Sequence, residues 1–280
     1  MPQWTVDSPV NLGLHGVAAL RVRLISGSIA VLSSDERSCV DVASVTGRSL
    51  LVTHEAGILT ITYPDLNWEG LRGWLRPEPH EAALTLTVPS GCPTQIGVVN
   101  ASTAVAGICA RTSIKSVSGN ITLEGLTGQV EAGTVSGDVA AQGLAGRVGF
   151  KSLSGDLTVA GGEFERFDAK TVSGKVTADL ALNCDGRLRV ATLSGAVTIR
   201  LPAGSDTSVD LRSATGQVSS EFGGLDSATR PGASTLTGTL GAGSGQVSVS
   251  TMSGQVTLLE RGSPGTPPGG GRDETERDER

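Results

Sequence analysis

The sequence predicts an all-β chain: a single-stranded parallel β-helix (β-solenoid) of about 18–21 residues per coil, with a disordered C-terminal tail. Three observations predict it. Gly119, Gly128, Gly137, Gly146 and Gly155 recur every nine residues inside the phrases VSGNI, LTGQV, VSGDV, LAGRV and LSGDL. A fixed short period of this kind means one structural unit stacked on copies of itself. Apolar and polar residues alternate within each phrase, as on a half-buried strand. Finally, the 280 residues include 39 Gly but only 4 Phe, 3 Trp and 1 Tyr, so the interior must be thin and aliphatic.

The chain divides into a solenoid over 3–260 and a tail over 261–280. Residues 3–110 carry the repeat loosely. Leu20, Val22 and Leu24 alternate with Arg21 and Arg23 ahead of Ile25-Ser-Gly-Ser-Ile29, and Leu84, Leu86 and Val88 alternate with Thr85 and Thr87 before Pro89. These residues read as irregular N-terminal coils and a cap for an open edge, with a separate β-sandwich as the alternative. Between them lies DLNWEGLRGWLRPEPHEA, where Trp68, Leu71, Trp74 and Leu75 stand at roughly helical spacing beside Arg72 and Arg76. That segment is either an edge cap or a candidate partner contact, since Trp and Arg are enriched at interfaces.

Residues 111–260 carry the regular repeats. Apolar residues at positions one, five and seven of each phrase predict an inward set, Val135, Val139 and Ala141, then Leu153, Leu157 and Val159. Ser136, Asp138, Ser154 and Asp156 then face outward. Small residues at Gly133, Thr134, Gly143, Ser152 and Gly161 are the expected turns. Two sides make a coil, and Gly119, Gly137 and Gly155 are 18 apart; Gly155 to Gly174 is 19, and Gly174 to Gly195 and Gly195 to Gly216 are each 21. Such drift is the mark of turn insertions along a stack. Stacked aliphatic ladders such as Ile121, Val139, Leu157, Val176 and Val197 are expected to supply the stability. From Arg261 the sequence turns to Pro, Gly and charge, a composition that cannot bury a core.

No catalytic, metal or cofactor site is read from the residues. The serine repeated before glycine, at Ser118, Ser136, Ser154, Ser173, Ser194 and Ser253, has no histidine within these coils to act as its base. His15, His54 and His80 are expected to be isolated surface residues. Only Asp138 and Asp156 would stack, at a position that also holds Arg147 and Lys175, which falls short of the roughly six to eight oxygens calcium needs. Cys39, Cys92, Cys109 and Cys184 lack a C-x-x-C pair and are expected to be buried reduced thiols. The net charge is −6 and the lysines are only Lys115, Lys151, Lys170 and Lys175. No basic stripe for a phosphate backbone is expected, and therefore no nucleic-acid partner. With no apolar run long enough for a bilayer and no signal-peptide pattern, the expectation is a cytoplasmic protein with no direct membrane span.

The S-G-x-V/I/L phrases, opening with ISGSI at Ile25 and closing with MSGQV at Met252, resemble those of the bacterial β-strand-repeat family of unknown function called "putative adhesin" or toastrack, which includes the LiaG-like proteins. The resemblance covers most of residues 3–260. It implies a parallel β-helix, and some members occur with membrane-anchored envelope-stress proteins. The expected function is a non-catalytic scaffold or protein-interaction module with protein partners, placed in the cytoplasm or at the inner membrane face through a partner and linked to envelope-stress or adhesion-type systems. The alternatives are a carbohydrate-active β-helix enzyme and a filament subunit that self-assembles through its solenoid edges.

Overall fold

The computed structural model describes residues 2–64, 80–230 and 232–262. The candidate contact residues Trp68, Leu71, Trp74 and Leu75 lie outside the described residues, as does the tail from residue 263. Every regular element described is a strand. The N-terminal strands are β1 (Gln3–Val6), β2 (Val10–Leu14), β3 (Ala19–Ser33), β4 (Ser38–Thr46), β5 (Leu50–Glu55), β6 (Ile58–Thr62), β7 (Glu81–Val88) and β8 (Thr94–Ala106). The middle of the chain forms β9 (Thr112–Ser118), β10 (Ile121–Glu124), β11 (Thr127–Ser136), β12 (Val139–Ser154), β13 (Leu157–Ser173), β14 (Val176–Ser194) and β15 (Val197–Pro202). The remainder are β16 (Thr207–Ser213), β17 (Val218–Ser220), β18 (Leu225–Arg230), β19 (Ala233–Leu240), β20 (Gly245–Ser253) and β21 (Val256–Arg261).

Each coil gives one strand to each of two parallel ladders. The first runs in space through β7, the second half of β3, the second half of β8, β10, the first halves of β12, β13 and β14, then β15, β21 and β17. The second runs through β6, the start of β3, the start of β8, β9, β11, the ends of β12, β13 and β14, then β20 and β16. Ile121, Val139, Leu157, Val176 and Val197 stand in register in the first ladder and are buried, as the repeat predicts. Facing them, the buried Ile114, Ala132, Phe150, Ala169 and Val190 alternate large with small along the second ladder. Phe150, Phe164 and Phe167 cluster in this core, with ring centroids 5.4–5.7 Å apart.

The corner at the Ser-Gly pairs explains why both residues recur. The Ser154 hydroxyl donates to the Val135 carbonyl of the preceding coil at 3.2 Å, and Ser118, Ser136, Ser173, Ser194 and Ser253 make the same bond one coil apart, at 3.2–3.5 Å. Gly155 sits at φ +128° directly over Gly137, where a Cβ would overlap the carbonyl oxygen below it. The following residue finishes the corner: the Asp138 N–H bonds Asn120 Oδ1, the Asp156 N–H bonds Asp138 Oδ1, and the Lys175 N–H bonds Asp156 Oδ1. The two stacked aspartates are thus engaged as backbone acceptors.

The same corner corrects the expected inward set. Val135 and Leu153 are 44% and 51% exposed, because the chain reverses its facing at the Ser-Gly step. In the intervening phrases LTGQV and LAGRV the equivalent Leu126 and Leu144 are fully buried. The two nine-residue halves therefore play different roles. Of the expected turns, Gly143 and Gly161 do turn the chain, with φ of +61° and +69°, whereas Gly133, Thr134 and Ser152 lie within the ladder pairing of β11 and β12. The 21-residue step to Gly195 is a corner insertion, since Phe164 pairs with Leu182 but Arg166 pairs with Arg187.

Spatial order departs from sequence order at both ends. Gly195 is covered by Gly254, and Gly216 lies beyond it. β20 and β21 therefore return into a slot between β14–β15 and β16–β17. The equal spacings leading to Gly216 suggest a direct neighbour of Gly195, and the structure corrects this. At the other end β3 is sandwiched between β6–β7 and β8. Outside these closing coils the pairing turns antiparallel: β5 and β4, then β1 and β2, at the N-terminal end, and β19 and β18 at the C-terminal end. Reversal at each end interrupts the parallel edge on which another chain would pair.

Candidate functional site

The outward face of the second ladder carries charged residues in most of its coils. Outward residues of successive coils stack in columns through the strand register. One column reads Arg23, Gly97, Lys115, Gly133, Lys151, Lys170 and Ala191, and the next reads Arg21, Gln95, Ser113, Glu131, Gly149, Asp168 and Arg189. A third holds Arg147, Arg166 and Arg187 in consecutive coils. Three of the four lysines of an otherwise acidic chain therefore share one face.

The clustering of cations on this face goes beyond what the linear sequence showed, although Glu131 and Asp168 interrupt it. The cations are scattered in sequence because each coil contributes only one or two, about 18 residues from the last, and only stacking assembles them.

Gly97, Gly133 and Gly149 point outward within this field, and the missing side chains leave a groove. One section has a volume of 340 Å³ and is lined by Lys115, Glu131, Phe150, Lys151, Lys170 and Arg189, among others. A second section of 240 Å³ runs on through Arg21, Arg23, Gln95 and Gly97 and shares Ser113 and Lys115 with the first. The floor is strand backbone and the rim is cationic. Arg166 hydrogen-bonds Asp168, which raises the arginine pKa above its ordinary value, and Arg147 pairs with Glu165. Lys115, Lys151, Lys170 and Arg189 form no ion pair among the described residues. Lys151 and Lys170 are direct register partners, an arrangement that costs stability in a sheet.

The other sequence-derived candidates scatter. His80 packs edge-on to Tyr63, with ring centroids 5.5 Å apart, and both His54 and His80 are half-buried rather than surface residues. Of the cysteines, Cys92 is buried and its thiol is pushed up to about 11 by that burial. Cys109 and Cys184 are exposed, contrary to expectation, because each sits at a corner rather than on an inward strand position. Phe150, Phe164 and Phe167 are core residues and offer no platform for a sugar.

A family model described as Toastrack DUF4097 matches residues 112–259. A comparison with the curated proteins gives no match. Among solved structures, one from Clostridium sporogenes ATCC 15579, named a "putative cell adhesion protein", aligns over 91% of this chain and 100% of its own, at 12% identity and a TM-score of 0.25.

Proposed function

The chain belongs to the toastrack family, and from that premise we propose that it is a non-catalytic interaction module whose basic groove holds an acidic, extended segment of a protein partner. The observation that carries this reading is the column of unpaired cations around a glycine floor. Lys151 stacks directly on Lys170 and neither forms an ion pair among the described residues, so the face spends folding stability on like charge that an anionic partner relieves; Arg147 and Arg166 beside them are paired with Glu165 and Asp168. Outward glycines let an extended chain approach the sheet closely.

Glu131 and Asp168 favour a protein segment over a uniformly charged phosphate backbone. They interrupt the cations, and a polypeptide can place a neutral or basic side chain opposite each of them. The burial of Phe150, Phe164 and Phe167 and the engagement of Asp138 and Asp156 in backbone hydrogen bonds speak for binding rather than sugar chemistry. No helix among the described residues is long and apolar enough to cross a membrane. In this reading the module works in the cytoplasm, or at the inner membrane face through its partner, within an envelope-stress or adhesion-type system.

The test is a titration of fluorescein-labelled oligo-glutamate, read by anisotropy at low and physiological salt. Salt-sensitive binding that falls about tenfold or more in Lys151→Glu/Lys170→Glu is expected. Absence of binding by the wild-type chain at low salt, or undiminished binding by the variant, contradicts the proposal. A polyphosphate control bound more tightly than the peptide also overturns the choice of a protein partner.

A further inference from the structure

A second surface is unexplained by the groove. Val117, Val135, Leu153, Val172, Leu193 and Met252 are 38–60% exposed. Each immediately precedes a serine of the corner series, and those serines are register partners from Ser118 through Ser253. The six aliphatic side chains therefore form one straight ridge parallel to the solenoid axis. At about 4.8 Å per coil, five steps span on the order of 24 Å. Val99 and Ile25 continue the row half-buried. The row of large side chains stops in the coil beyond Met252, where the half-buried Ala214 occupies the position and Thr215 takes that of the serine. Ala214 shows that the corner accepts a single methyl group there, so the geometry does not require the large apolar side chains.

We infer that this ridge is the docking surface for a second copy of the same chain, packed side by side and ridge to ridge. Spacing identifies the occupant. An α-helix presents side chains about every 5.4 Å along one face, which drifts by roughly 3 Å over five steps of about 4.8 Å and cannot keep its knobs between those of the ridge. An extended peptide laid along the axis shows one face about every 6.8 Å and drifts faster. A row that repeats once per coil fits along the full length, and a second copy brings such a row. Charge points the same way. Lys115, Lys151 and Lys170 lie two residues before the ridge, while Asp138, Asp156 and Lys175 lie three residues after it. The flanks thus carry both signs, which suits a copy bearing the same two flanks better than an anionic lipid surface. Six side chains about half exposed, at on the order of 80 Å² each, reach the size of the largest apolar patch on an ordinary monomer, ~300–600 Å². Adding the flanks approaches the roughly 800 Å² per partner of a standard interface.

The experiment is sedimentation velocity of the full chain across a concentration series, for the wild type and for Leu153→Glu/Leu193→Glu. Both changed residues are about half exposed, so the variant should melt within a few degrees of the wild type. The expected result is a concentration-dependent dimer for the wild type and a monomer for the variant. A wild-type chain that stays monomeric at the highest concentration overturns the inference, as does a variant that still dimerises. Flotation of the monomeric wild type with vesicles of phosphatidylglycerol, lost in the variant, replaces the second copy by a lipid surface. A ladder of larger species without a dimer end point indicates end-to-end assembly and also contradicts the inference.

Discussion

The Ser-Gly corner sets the tolerance of the stack to single changes. Gly155 lies so close over Gly137 that a methyl group would overlap backbone, and its φ of +128° disfavours any side chain. Gly155→Ala should destabilise the protein by about 1–3 kcal/mol, measured by urea unfolding, whereas Ser154→Ala removes one inter-coil hydrogen bond and should cost about 1 kcal/mol. The need for glycine here was legible from the period alone, but the facing of its neighbours was not. VSGDV and LTGQV follow the same apolar pattern, yet Val135 is exposed and Leu126 is buried. The distinguishing mark is the serine hydroxyl, which bonds across coils rather than along the chain. Burial also creates two alkaline liabilities. The thiol of Cys92 is pushed up to about 11 by burial, and the Tyr63 phenol up to about 12 by burial and then by the charge of Glu81. Both groups hold their protons longer when folded, so their contribution is intact at neutral pH. It is lost as pH rises from about 9 toward 11 for Cys92 and from about 10 toward 12 for Tyr63. The melting temperature should fall above pH 9, and less steeply between 9 and 11 in Cys92→Ala.

Among the strands, the closing elements decide whether the ends hold. β20 and β21 fill the slot between β14–β15 and β16–β17, and the Arg261 side chain reaches across the stack to Asp179. A chain truncated after Leu240 loses the parallel partners of β16 and β17 together. It should therefore unfold from Thr207 onward while the coils up to β15 persist, a pattern that hydrogen exchange resolves as protection lost in β16 to β19. Uniform loss of protection would mean that the stack behaves as one cooperative unit. The return of β20 into an inner slot was hidden in the sequence, because MSGQV at Met252 carries the same phrase as any coil and nothing local says which neighbours it takes. By contrast, the 21-residue step ending at Gly195 was read correctly as an insertion, since an inward strand cannot absorb extra residues and a corner can.

At the scale of the whole molecule, repetition explains both the thin core and the placement of the candidate surfaces. A stack of short coils buries its aliphatic ladders pairwise, so few large side chains are needed, and every outward position becomes a column along the axis. Columns turn scattered residues into continuous features: cations and glycines 18 or so residues apart become a groove, and the residues before each serine become a ridge. Linear reading found the aliphatic ladders because their period is the repeat itself. It missed the basic face because Lys115, Lys151 and Lys170 are far apart in sequence and the intervening acids hold the net charge at −6. The central claim is that this face accepts like-charge repulsion for the sake of an acidic partner, and Lys151→Glu examines both halves of it in one protein. Thermal melting and oligo-glutamate titration of that variant at low salt should show a higher melting temperature together with weaker binding, whereas an unchanged or lower melting temperature with binding intact would contradict the account.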